Sequence, residues 1–188
     1  IDLANLEGYK AITVLGEYGV EGYESSSSTA LETHLSAPAG LALDKNNRIL
    51  YIAESGNHII RSVALDSVDP CVLVFDSGLS LVAGHPQRQG LIFDDGALAT
   101  NSYLNMPSAL ELGSAGELYV ADTGNHQVRL INTDGTIETV MGDGFPGDGG
   151  EGSPALVFRL DTPRGLEIDS YGNLYIAGAA SIRMVSSG

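Results

Sequence analysis

Apolar positions along the chain come in short runs or in strict alternation, and no stretch holds a convincing helical period. The segments "GLALD", "ILYIAE" and "HIIRSV", between residues 40 and 63, have strand length and are separated by turn residues. The Asp-Gly pair in "TDGT" (133–136) predicts a hairpin joining "VRLIN" to "IETVM". This pattern predicts an all-β chain of short antiparallel strands joined by glycine-rich turns.

The pattern is also self-similar. The spacing A-x4-L-x2-P occurs three times, at Ala30-Leu35-Pro38, Ala99-Leu104-Pro107 and Ala155-Leu160-Pro163. Each proline opens related text: "PAGLALDKNNRILYIAESGNHIIRSV", "PSALELGSAGELYVADTGNHQVRLI" and "PRGLEIDSYGNLYIAGAASIRMV". Tyr51, Tyr119 and Tyr175 share one register, and Arg61, Arg129 and Arg183 close the copies. Upstream lie "AITVLG", "LSLVAG" and "IETVMG", each an apolar strand ending in glycine. Four strands per repeat is the make-up of a propeller blade, with repeats at roughly 11–65, 72–132 and 136–186.

The phrase P-x-G-L-x-φ-D-x-x-G-N-L-Y-φ-A-D-x-G-N-x-φ-R (φ apolar) resembles the NHL-repeat family of β-propellers. "TVMGDGFPGDGG" resembles the strand and turn linking blades in teneurin-type domains and bacterial surface proteins. The resemblance runs over roughly residues 11–186 and implies a β-propeller segment of about three four-stranded blades. Function follows less directly, because the family includes enzymes, RNA binders and adhesion domains. The copies also differ. Ala109 replaces the glycine of Gly40 and Gly165, Gly113 replaces Asp44 and Asp169, and the third copy has "AGAAS" for "ADTGNHQ". An insertion near "DSVDPCVLVFDSG" (66–78) separates the first two copies.

Candidate chemistry concentrates in a few places. The loop "GDGFPGDGGEG" (142–152) carries Asp143, Asp148 and Glu151 as candidate metal ligands. Their spacing does not match a calcium EF-hand, and no lysine is present for a phosphate-binding loop. The loop therefore reads as a turn that uses glycine for positive φ, with calcium as the alternative. "ESGN" (54–57) and "DTGN" (122–125) read as acid-led hairpin turns, and His58 and His126 after them as a surface pair. A zinc site of the family's amidating lyases needs a third matching histidine. The arginines read as structural, packed along their stems and paired, with Asp44 and Asp169 as expected partners. The three tyrosines are expected to be largely buried in the wedge between sheets. Cys71 lies in an apolar run and reads as a buried neutral thiol. No nucleophile elbow or catalytic residue is identified.

Composition narrows the partners. The 188 residues are 43% hydrophobic, enough for a packed core. A net charge of −15 repels nucleic-acid backbones and anionic membrane surfaces. No apolar run reaches membrane-span length, so neither nucleic acid nor membrane insertion is expected. A single cysteine excludes an internal disulfide. The start at Ile1 reads as an excised or processed piece.

The expected function is a non-catalytic interaction or scaffold domain of a larger secreted or cell-surface protein, binding proteins or glycans without a cofactor. The alternative implied by the resemblance is a six-bladed lyase or lactonase with an axial metal. "AITVLG" (11–16) reads as a fourth strand with no blade before it, and the third copy stops at Ser186 one strand short. That is the phase of a slice through a longer propeller, or of half a six-bladed ring. Its open edges would be covered by further blades of the same parent protein or by a second copy.

Overall fold

The computed structural model describes residues 13–17, 19–23, 32–65, 78–90 and 94–186. Cys71, Ala30 and most of the insertion at 66–78 lie outside these. Among the described residues, eleven strands fall into three antiparallel sheets. The first contains β1 (Pro38–Asp44), β2 (Ile49–Glu54), β3 (Ile59–Ala64) and β4 (Ser80–Ala83), in that spatial order. The second repeats it with β5 (Pro107–Leu112), β6 (Leu118–Asp122), β7 (Gln127–Ile131) and β8 (Ile137–Met141). The third has β9 (Gly165–Ile168), β10 (Leu174–Ala177) and β11 (Ile182–Val185). The fold is a β-propeller segment of three blades, with β1 beside β5 and β5 beside β9.

Two apolar layers join the blades. Ala42, Ala53 and Ile60 of the first sheet meet Leu110, Leu118 and Val120 of the second. Val128 and Met141 of the second meet Leu174 and Ile176 of the third. The repeated A-x4-L-x2-P spacing now has a cause. Ala99 and Ala155 each begin a short 3₁₀ turn and accept the N–H of Gly84 and Gly142 through their carbonyls. Leu104 and Leu160 are buried in the two layers. The residues before the prolines, Ala37, Met106 and Thr162, all take positive φ, 44° to 50°. The sharp reversal there turns the linker into the first strand.

Two expectations are corrected. The tyrosines are not largely buried: Tyr51 and Tyr119 are half-buried and Tyr175 is 37% exposed. Strand alternation explains this. Tyr51 packs on the first interblade layer and Tyr119 on the second, whereas Tyr175 lies on the far face of the third sheet, which no sheet covers. The fully buried neighbours are Ile52, Val120 and Ile176. Ile176→Ala is therefore expected to cost about 2–5 kcal/mol, and Tyr175→Ala no more than about 0.5 kcal/mol. Urea unfolding followed by circular dichroism compares them directly.

Thr13–Gly16, whose text matches β4 and β8, joins no sheet among the described residues. Second, Asp44 and Asp169 do not pair with the arginines. Each caps its own hairpin: Asp44 accepts from the Asn46 and Asn47 amides, and Asp169 from those of Tyr171 and Asn173.

Candidate functional site

The polar residues of the repeats assemble at the joints between blades. Arg61, Arg129 and Arg183 stand at one register in β3, β7 and β11. Each reaches a carboxylate, but the partner differs. Arg61 is buried and its Nε donates to Glu54 of the neighbouring strand, while its Nη2 donates to the His34 carbonyl at 2.8 Å. Arg129 donates to Asp94 at 2.8 Å and Asp95 at 3.2 Å on the linker before its blade. Arg183 donates to Asp148 and, at 3.1 Å, to Glu151. Arg61 also lies over the Tyr23 ring and Arg183 over the Phe158 ring, 5.5 Å and 5.2 Å from their centres.

The glycine-rich loop therefore serves its blade as a brace. Asp148 and Glu151 both turn to Arg183, while Asp143 accepts from the Phe145 amide and pairs with Arg159 at 3.3 Å. The three candidate calcium ligands split between two arginines. The Ser181 hydroxyl also donates to Asp148, and Arg183 holds that carboxyl below its ordinary range. Among the described residues no three histidine, cysteine or carboxylate side chains converge as a metal site.

The acid-led turns supply a second set of contacts. Glu54 and Asp122 are fully buried. Asn57 donates to Glu54 at 2.7 Å and to the Gly22 carbonyl at 2.6 Å. Asn125 repeats both bonds, to Asp122 at 2.7 Å and the Gly90 carbonyl at 2.7 Å. Glu54 reaches its own arginine. Asp122, one methylene shorter, turns instead to the Asn105 amide at 2.6 Å, and the Nε and Nη1 of buried Arg129 have no partner.

Burial pushes Asp122 up to about 7, against the pull of Asn105, Asn125 and Arg129, and the charge of Asp94 adds to the rise. The folded state thus holds a proton that the unfolded chain releases near its ordinary 3.8. Between roughly pH 4 and 7 the folded state binds more protons, so this group makes stability fall as pH rises. Asp122→Asn should abolish that slope, which is on the order of 2–4 kcal/mol across the window. Unfolding free energies of both proteins at stepped pH give the difference.

The third set crosses from blade to blade. The Ser55 hydroxyl donates to the Pro107 carbonyl at 2.5 Å, and the Thr123 hydroxyl to the Pro163 carbonyl at 2.6 Å. His58 and His126 do not form a free surface pair. Nδ1 of His58 accepts the Met106 N–H at 3.0 Å, and Nδ1 of His126 accepts the Thr162 N–H at 3.2 Å. The first and second blades thus each grip both sides of the next blade's proline, one side through a histidine and the other through a hydroxyl. Sequence reasoning missed Glu54, Asp94, Asp122 and the two hydroxyls. A signal for the braces was present: Asp94–Arg129 and Asp148–Arg183 are both 35 residues apart, as are Gly22–Asn57 and Gly90–Asn125.

With this geometry in place, the relatives can be set beside it. The family model described as the Teneurin NHL domain matches residues 20–132. NHL repeat-containing protein 2 of Bos taurus is 32% identical over 117 residues, which is 62% of this chain and 14% of that protein. Teneurin-4 of Homo sapiens is 26% identical over 173 residues, which is 81% of this chain and 6% of that protein. A crystal structure of a protein of unknown function from Bacteroides thetaiotaomicron superposes with a TM-score of 0.67 at 18% identity, covering 84% of this chain and 38% of its own. The chain thus spans a small part of the curated relatives and well under half of the solved one.

Proposed function

The chain belongs to the Teneurin NHL domain family, and on that premise we propose that it is a non-catalytic interaction module of a secreted or cell-surface protein, binding proteins or glycans. One observation carries this reading. The polar groups that recur at the repeat positions are spent on holding the blades to their linkers, while the linkers present apolar side chains to solvent. Leu98, Phe145, Leu156 and Val157 are each more than half exposed on segments whose backbone is pinned by the braces. A loop fixed before binding loses little entropy when a partner arrives, and an exposed aromatic supplies an anchor.

The test uses the 188-residue chain on a glycan array and a panel of purified extracellular domains. Saturable binding, lost in Phe145→Ser without a change in unfolding midpoint, supports the reading. Turnover of lactone substrates on adding divalent metal, with no binding, would overturn it. The proposal includes no specific calcium site at 142–152. Micromolar calcium affinity by calorimetry, abolished in Asp148→Ala, would show that the brace doubles as a ligand set.

The open faces bear on the partners too. Leu41 and Leu43 on the first sheet and Tyr175 and Ile182 on the third are exposed apolar residues at positions that β5 and the first blade use for interblade packing, and exposed Met184 pairs across from Tyr175. Further blades of the parent protein or a second copy would cover them, and sedimentation distinguishes the two. Among the described residues no helix is long and apolar enough to cross a membrane.

A further inference from the structure

Both interblade joints depend on an uncharged histidine, because a ring nitrogen can accept a backbone N–H only while it carries no proton. The two joints differ at one position. The tripeptide entering the second blade is Asn105-Met106-Pro107, and the one entering the third is Asp161-Thr162-Pro163. Asp161 Oδ1 lies 4.0 Å from His126 Nδ1, close enough to take the new N–H if that histidine is protonated. The first joint has Asn105 there, a neutral side chain with no negative charge to offset an imidazolium. We propose that the joint between the first and second blades opens on acidification, while the joint between the second and third blades holds.

The surroundings fit this asymmetry. Among the described residues, the titratable and charged groups on the elements around the first joint are Glu54, His85, Arg88 and Asp122. Glu54 is tied to Arg61 and Asn57, His85 stacks on Tyr103, and Asp122 faces the Asn105 amide. Arg88 is exposed on the turn after β4. Burial alone lowers His58 from its ordinary range, with no carboxylate offsetting it. Around the second joint stand Asp122, Asp143, Arg159 and Asp161, of which Asp161 approaches the ring. Met106 and Thr162 both hold positive φ, a conformation that needs the contacts around it, so losing the histidine acceptor frees the linker backbone. Opening would expose Leu104 and Leu110, which are buried beneath the first joint.

Amide hydrogen exchange on the 188-residue chain, resolved at Met106 and Thr162 and corrected for intrinsic exchange, tests this between about pH 7 and 5. Met106 protection should fall about tenfold, the factor for one hydrogen bond, and Thr162, which loses the same acceptor but stays on a linker tied to His126 through Asp161, should lose less. In His58→Asn the side-chain oxygen accepts at every pH, so Met106 protection should lose its pH dependence. Asp161→Asn should make the second joint as acid-sensitive as the first. Met106 protection that ignores pH, or that falls equally in His58→Asn, overturns the proposal. If that variant fails to fold, the Met106 amide shift in the unaltered chain must titrate with the His58 imidazole, and a flat shift overturns it as well.

Discussion

Arg61→Met is expected to destabilise the chain by about 3–5 kcal/mol, the cost of leaving a buried charge without its partner. Glu54 is fully inaccessible and its Oε1 is held by the Arg61 guanidinium. Without the arginine that carboxylate keeps only the Asn57 amide and, at 3.3 Å, the Ser36 N–H. At about 2–4 °C per kcal/mol for a chain of this size, the unfolding midpoint should drop by roughly 6–20 °C. Adding Glu54→Gln removes the stranded charge and should recover most of the loss. A single variant as stable as the parent would mean that Glu54 takes up a proton at little cost. A double variant no better than the single would mean that stem packing, not charge, makes Arg61 matter.

Gly142→Ala is the second large effect. Gly142 sits at φ +106°, and a Cβ there would overlap the His126 carbonyl oxygen and approach the Gln127 Cα to 2.9 Å. Both obstacles are backbone at the start of β7, so no side-chain rotation relieves them. Backbone strain alone costs about 1–3 kcal/mol at such a position, and the overlap adds to it. Gly16 is the internal control. It stands at the matching place with φ +89°, but its Cβ would come closest to the Leu35 side chain, at 3.2 Å, with the Thr33 carbonyl at an ordinary contact of 3.8 Å. Gly16→Ala should therefore cost the strain and little more. Urea midpoints for both variants decide it. Equal losses would show that conformation, not close approach of the neighbouring strand, explains the repeated glycine.

Much of the fold was legible because the repeat is written in residue types that constrain the backbone locally. The proline sets the first strand, the Asp-Gly pair at 134–135 the hairpin, and period-two alternation the sheet faces. The expectation of three blades, the third with three strands, matches the three sheets. Misreadings arose wherever the answer depended on what lies across a joint. Tyr51, Tyr119 and Tyr175 share a register, yet their burial differs because two have a neighbouring sheet and one has none. Asp44 and Asp169 were attractive partners for arginines of the same blade, but their backbones close hairpins first, and short-range amides outcompete a distant guanidinium.

The candidate site shows the same division. Sequence alone determined the fold class, the blade register, the acidic surface and which arginines and histidines are equivalent, because each of these is a property of local pattern or of summed charge. Tertiary structure alone decided their partners. Asp94 meets Arg129 and Asp148 meets Arg183 across 35 residues, and Met106 meets His58 across 48, because each linker folds back over the blade it enters and docks its last residues on the blade before. Hydrogen bonds and ion pairs fall off within a few ångströms, so only the folded path of the chain, not its order, can say which of 24 acidic groups reaches which arginine.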